Sequence, residues 1–265
     1  MANMETDKLK VCLLSRVGSR AYNFATPESD DDQRGFGLQT TLARMIGLER
    51  PKDHESKLVD GFLWDVSKFT RMAVKANTNA LDTLFAESQN VLEINDVGEL
   101  YREYRHRFLS THSLYNVLKG YALNELDMAT GRKKPGDMGA KRRTLVEKHG
   151  YSGKNLHHAC RLLKAGTEAF RTGQYRTFWP NKHPDWSLLM DLKSNILPLE
   201  EAEIAFQKTF DSFEVASKKS VLSQEVDLDF INSLLIFSVK EHLERLMANF
   251  DFPFKNIKGV NGKNT

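Results

Sequence analysis

The sequence predicts an α+β fold: a small mixed sheet flanked by helices in the first 95 residues, then a mostly helical half. Two observations carry this. Apolar runs in the first part are short and bounded by turn residues, the pattern of strands. From about residue 97 onward, apolar positions recur at helical spacing. A chain of 265 residues with 40% hydrophobic and 28% charged content is long enough to build one large domain or two smaller ones around a sizeable core.

Leu9 to Ser15 is rich in Val, Cys and Leu and ends just before Gly18, so it reads as a buried strand. Pro27-Glu28-Ser29 is turn chemistry, and Arg34 to Thr40 reads as a second strand. A third strand falls near 58–64. An amphipathic helix follows over about 66–76, with Phe69, Met72, Ala73 and Ala76 on its buried face. A second short helix carries Ala80, Leu81, Leu84 and Phe85. The helical half is interrupted by the Gly/Pro-rich Thr130–Gly139 loop and by Trp179–Trp186. Phe206, Phe210, Phe213 and Val215 line one long helix; Phe230, Leu234, Phe237, Val239, Leu243 and Leu246 line another, all as core positions. The organisation expected is therefore 1–95, 96–255 and a polar, frayed tail over 256–265. No internal repeat is present.

No apolar run approaches membrane-spanning length, and the polar N-terminus lacks a signal-peptide pattern. Cys12 and Cys160 have no zinc-ligand spacing and read as buried thiols in a reducing cytoplasm. The formal net charge of +3 is too small to argue for nucleic acid.

The chemistry concentrates in Val17-Gly18-Ser19-Arg20-Ala21-Tyr22 and Ser29-Asp30-Asp31-Asp32-Gln33-Arg34-Gly35. Gly18 lets backbone approach a ligand closely, and Ser19 offers a hydroxyl and an N–H to a phosphate. If extended, Asp30 and Asp32 point the same way, about 7 Å apart along the chain. Two carboxylates so placed can converge on a pair of metal ions about 3.5–4 Å apart. Three aspartates after a turn are by themselves an ordinary solvated loop. A Gly-Ser turn ahead of them, between two strand-like runs, is what points to a polyphosphate with divalent metal.

Gly18-Ser19 followed by Asp30-x-Asp32 matches the signature of the DNA polymerase beta-like nucleotidyltransferases. More narrowly, Gly-Ser-Arg-Ala-Tyr-x(4)-Pro-x-Ser-Asp-x-Asp-x-Arg-Gly resembles a bacterial and phage branch of predicted nucleotidyltransferases, including RNA-ligase-associated members implicated in RNA repair. The likeness continues through Asp60-Gly61-Phe62-Leu63-Trp64-Asp65-Val66-Ser67-Lys68-Phe69 and Lys75-Ala76-Asn77. It also covers Arg107-Phe108-Leu109-Ser110, Gly120-Tyr121-Ala122 and Lys154-x(3)-His158-x(2)-Arg161-Leu162-Leu163, roughly residues 9 to 175 in all. Asn23 stands where the branch usually has Gly, and Asn is the next best residue for positive φ. Asp31 and Gln33 stand where apolar or aromatic residues are commoner.

The resemblance implies a nucleotidyltransferase core with Asp30, Asp32 and a third carboxylate as catalytic metal ligands. Asp60 fits that third place; Asp65 is the rival but sits where a helix N-cap belongs. It further implies that Gly18, Ser19, Arg20, Tyr22 and Arg34 bind nucleotide. Lys154, His158 and Arg161 fall within about a 60° sector of one helix, spanning about 10 Å of its axis. Such a stripe of three possible cations suits a polyphosphate as well as it suits a solvated face, and with the resemblance Lys154, His158 and Arg161 are expected to bind the nucleotide too. Lys141-Arg142-Arg143 reads as solvated charge that could also touch a substrate phosphate.

The expected activity is transfer of NMP from an NTP, with ATP as the default, to a hydroxyl acceptor, with Mg²⁺ or Mn²⁺ and release of pyrophosphate. The acceptor stays open among an RNA or tRNA end, a protein hydroxyl and a small molecule. So does oligomeric state. A nucleotide- or RNA-binding sensor of the same fold without transfer is the alternative. A carboxylate-pair hydrolase fits less well, since the acidic pair is too close in sequence.

Overall fold

The computed structural model describes residues 8–49, 56–58, 61–132 and 146–251. The fold is α+β. Five strands, β1 (Leu9–Arg16), β2 (Gln33–Gln39), β3 (Ser56–Leu58), β4 (Gly61–Asp65) and β5 (Val91–Ile94), form one sheet in the order β3-β4-β2-β1-β5. β2 and β4 run parallel; every other neighbouring pair is antiparallel. The expected strand near 58–64 resolves into two paired strands, β3 and β4. The edge strand β5 was not foreseen. Its Leu92 and Ile94 are exposed and its other two residues only half-buried, so it lacks the clean alternation that marks a strand in sequence.

Ten helices are described: α1 (Gly18–Ala21), α2 (Leu42–Met45), α3 (Val66–Val74), α4 (Thr78–Leu84), α5 (Asp96–Glu103), α6 (Thr111–Ala129), α7 (Gly153–Thr172), α8 (Trp186–Lys193), α9 (Leu199–Lys218) and α10 (Leu228–Ala248). Short polar residues start several of them by accepting from free N–H groups of the first turn: Asp65 for α3, Asn77 for α4, Asn95 for α5, Ser110 for α6 and Asp227 for α10.

One cluster of buried apolar residues runs from Cys12 through Phe36, Phe69 and Tyr101 to Phe170, Phe213 and Leu234. Phe36, on the helix-covered face of β2, lies 4.4 Å from the Phe69 ring and 4.9 Å from that of Tyr101, centroid to centroid. Phe36→Ala is expected to cost about 3–5 kcal/mol of stability, read from the shift of the urea midpoint at constant slope. A second, smaller cluster of Leu9, Val11, Leu14 and Leu63 is also buried.

Cys12 and Cys160 are buried free thiols, as expected. Two expected core positions are exposed, and Leu243 and Leu246 are only half-buried. Phe237 is 70% exposed and Val215 54% exposed. On α10 only Ile231, Leu234 and Ser238 are buried, a narrow stripe. Three steps from Leu234 carry Phe237 about 60° off it. The tail over 256–265, Lys141-Arg142-Arg143 and most of the Thr130–Gly139 loop lie outside the described residues. No helix among the described residues is long and apolar enough to cross a membrane.

Candidate active site

The site sits where β1 ends and β2 begins. Gly18 has φ +74°, a left-handed conformation that glycine alone adopts without strain. A Cβ built there would lie 2.5 Å from Oδ2 of Asp32, so the turn backbone is pressed against that carboxylate. The approach is fixed by the backbone: the Val17 N–H donates to the Asp32 carbonyl at 2.8 Å, continuing the β1–β2 ladder by one rung. The Gly18-Ser19 turn and Asp32 are therefore one structural unit. Asn23 has φ +68°, so it does take the positive φ that its place in the motif requires.

The aspartate triplet divides. Asp31 is paired with Arg16, Nε to Oδ1 at 2.5 Å. Among the described residues, the side chains of Asp30, exposed, and Asp32, half-buried, have no hydrogen-bond or ion partner. Carboxylates brought together without a cation repel each other, so a pair such as Asp30 and Asp32 suits a divalent ion. No group of three metal-ligating side chains occurs among the described residues. Asp60, expected as the third carboxylate, lies outside them. Its chain neighbour Gly61 pairs with Gln33, the residue after Asp32. Asp65 pairs with Gly37, four steps further along β2, about 13 Å away. There it caps α3 through the N–H groups of Ser67 and Lys68 and accepts from Gln39. Asp65 is thus committed at the opposite end of β4.

The other residues named from sequence fall into two groups. Arg34 follows Asp32 at the same two-residue alternation and donates to Asn79 on α4. Its charge, with that of exposed Lys154, contributes to the field around His158. His158 rests edge-on against Tyr121, ring centroids 5.3 Å apart. Burial first, then the neighbouring Arg161 charge, hold the His158 imidazole well below its ordinary pKa, so at neutral pH it is uncharged. Arg34, two residues after Asp32, and Lys154 thus lie within electrostatic reach of His158.

Three expected nucleotide contacts are placed otherwise. Arg20 donates through Nε and Nη2 to the Ser29 carbonyl at 3.0 and 2.6 Å, holding the loop that leads into Asp30. Tyr22 is 7% exposed and donates to Asp82 at 2.5 Å. Arg161 is fully buried, pairs with Asp82 at 3.3 Å and lies over the Tyr22 ring. The expected stripe of three cations is thus one exposed lysine, one neutral histidine and one buried arginine. Helical spacing places residues on a common face and leaves open whether that face meets solvent or protein.

Asp82 was missed altogether. A single charge in Thr78–Leu84, a short helix with nearly every residue buried, was the available signal. Trp179 was missed as an anchor. Its N–H donates to the Tyr22 carbonyl, and its carbonyl accepts from Asn23, fastening the segment after α7 to the turn after α1. Beyond Trp179 lies a groove of about 890 Å³ lined by Lys164, Glu168, Arg171, Arg176 and Ile204 among others. It shares no residue with the acidic site.

His157, one step from the stripe, bonds through Nδ1 to the Leu189 carbonyl at 2.8 Å and packs edge-on against Phe24. Burial, opposed only in part by that bond, depresses its pKa to about 3. The unfolded chain takes up this proton near pH 6.5 and the folded chain does not, so stability falls as pH drops through that window. Each pH unit costs up to about 1.4 kcal/mol. The Tm of the wild type is expected to fall more steeply between pH 7 and pH 5 than that of His157→Gln.

A mixed sheet with a Gly-Ser turn held against an aspartate agrees with the resemblance to polymerase-beta-like proteins. Residues 1–176 match the profile of the RNA repair pathway DNA polymerase beta family, and the chain belongs to that family. Membership ties it to a polymerase-beta-like, nucleotidyltransferase-related role in RNA repair. No curated protein and no solved structure matches the chain.

Proposed function

We propose that this protein transfers NMP from an NTP to a hydroxyl acceptor, an RNA end before others, and releases pyrophosphate. The observation that carries the reading is the contact between the Gly18-Ser19 turn and Asp32: a left-handed glycine turn and a carboxylate without a side-chain partner among the described residues, fixed side by side. The RNA end is favoured by the family alone.

In this reading the NTP phosphates lie along the Gly18-Ser19 turn, with Arg34 and Lys154 flanking them. Asp30 and Asp32, with Asp60 as third carboxylate, would hold Mg²⁺ or Mn²⁺; the bound ion supplies charge neutralisation on the phosphates and acidifies the attacking hydroxyl. The hydroxyl oxygen bonds to the α-phosphorus, the bond from the α-phosphorus to the bridging oxygen breaks, and pyrophosphate leaves with the electron pair. The hydroxyl proton passes to a carboxylate of the acidic group. His158, neutral, can donate one hydrogen bond without adding charge. Catalysis on these terms is positioning and electrostatics, with no covalent enzyme intermediate.

The test uses NTPs labelled at the α-phosphorus, incubated with mixed RNA and Mg²⁺ or Mn²⁺. Label appearing in RNA together with free pyrophosphate supports transfer. Tight binding with the NTP returned unchanged, even with cell extract as acceptor source, supports a sensor and overturns the proposal.

A further inference from the structure

We infer that Asp82 is a positioning residue that locks the Gly18-Ser19 turn and helix α7 into one register against helix α4; this rests on the transferase reading for its catalytic consequence. Asp82 lies on α4, three residues after Asn79, so the two share a helix face. Asn79 accepts from Arg34 of β2. Asp82 accepts from the Tyr22 hydroxyl at 2.5 Å and from Arg161 Nη2 of α7 at 3.3 Å. The Tyr22 N–H in turn donates to the Gly18 carbonyl at 3.0 Å. His158 and Lys154 stand one and two turns before Arg161 on the same helix. α4 itself is tied to β1, the Ser15 hydroxyl donating to the Thr83 carbonyl at 3.2 Å. The short helix α4 is thus bonded to β1, to β2, to Tyr22 after α1 and to α7.

Stability does not account for this arrangement. Asp82 is 3% exposed and Arg161 0%, so both charges are taken out of water. Burial works against the Arg161 charge, and Asp82 together with the neighbouring Tyr22 and Tyr175 more than offsets it, keeping the guanidinium charged. Yet Arg161 Nε and Nη1, Asp82 Oδ1 and the buried Tyr175 hydroxyl have no hydrogen-bond partner among the described residues. A buried ionic group left partly unsatisfied is a poorer stabiliser than apolar side chains of the same size. What it does supply is a fixed geometry: the guanidinium carbon lies 4.0 Å from the Tyr22 ring centroid while both residues converge on one carboxylate.

The test compares Asp82→Asn, Arg161→Gln and the double variant Asp82→Asn/Arg161→Gln by Tm, hydrogen exchange and steady-state kinetics with ATP and Mg²⁺. Each single change leaves an uncompensated partner in the interior and is expected to lower Tm sharply or prevent folding. The double variant removes both charges and is expected to recover most of the Tm. In it, amides over 18–24 and 154–161 should exchange at least about tenfold faster than in the wild type, those of α10 remaining unchanged. Turnover should stay down about 10²-fold, with KM for the NTP changed far less, because a displacement of about 1 Å costs rate on this scale. A double variant that regains wild-type exchange at both segments, or wild-type kcat along with its Tm, would overturn the inference. If the wild type transfers nothing, the transferase reading falls and the exchange arm alone decides whether Asp82 sets the register.

Discussion

Asp32→Asn is expected to lower pyrophosphate release by at least about 10²–10³-fold, the scale seen when a key electrostatic group is removed from an active site. The side chain keeps its size and the Val17–Asp32 backbone bond is untouched, so the fold should persist with Tm near that of the wild type. Only the negative charge and half of the acceptor capacity disappear. Asp31 provides the internal control. Its carboxylate is paired with Arg16, outside the acidic pair, on a surface where such a bridge contributes at most about 1 kcal/mol. Asp31→Asn should therefore retain turnover within about threefold of wild type on these grounds. Equal losses in the two variants would mean that the triplet acts as a general acidic patch and would remove the reason for singling out Asp32.

The second large effect concerns Gly18. An alanine there meets two separate costs: a left-handed backbone, about 1–2 kcal/mol, and a Cβ placed 2.5 Å from Asp32 Oδ2. Relief of the second requires either the turn or the carboxylate to move, and both belong to the site. Turnover is expected to fall about 10²-fold. Gly173 separates the two costs. It has φ +76°, close to that of Gly18, and an added Cβ would meet nothing within 4 Å. Gly173→Ala should lose only the backbone share of the stability, about 1–2 kcal/mol, and keep full activity, measured by urea unfolding and by pyrophosphate release on the same preparations. Equal activity losses in both variants would assign the effect to backbone strain and not to Asp32.

The parts legible from sequence are those governed by local chemistry. A Gly-Ser turn, an Asn suited to positive φ and alternating aspartates each say what the backbone does within a few residues, and Gly18, Asn23 and β2 follow that reading. Asp65 as a helix cap is legible for the same reason. The parts not legible depend on what packs against what. Arg161 and Arg20 have the composition of phosphate ligands, yet one is buried against Asp82 and the other holds the Ser29 carbonyl. Periodicity gave Phe237 and Leu234 the same standing; the narrow buried stripe of α10 separates them. Asp82 makes three distant elements cohere, and no pattern within Thr78–Leu84 names its partners 60 and 79 residues away.

The measurement that bears most directly on the central claim is pyrophosphate release from each NTP with mixed RNA, in Mg²⁺, in Mn²⁺ and in excess chelator. Wild type is run beside the double variant Asp30→Asn/Asp32→Asn. Release that requires a divalent ion and disappears in the double variant, while its Tm stays near wild type, is the predicted result. Release that persists in the double variant or in chelator would contradict the assignment of Asp30 and Asp32 as the metal-holding pair of a nucleotidyltransferase.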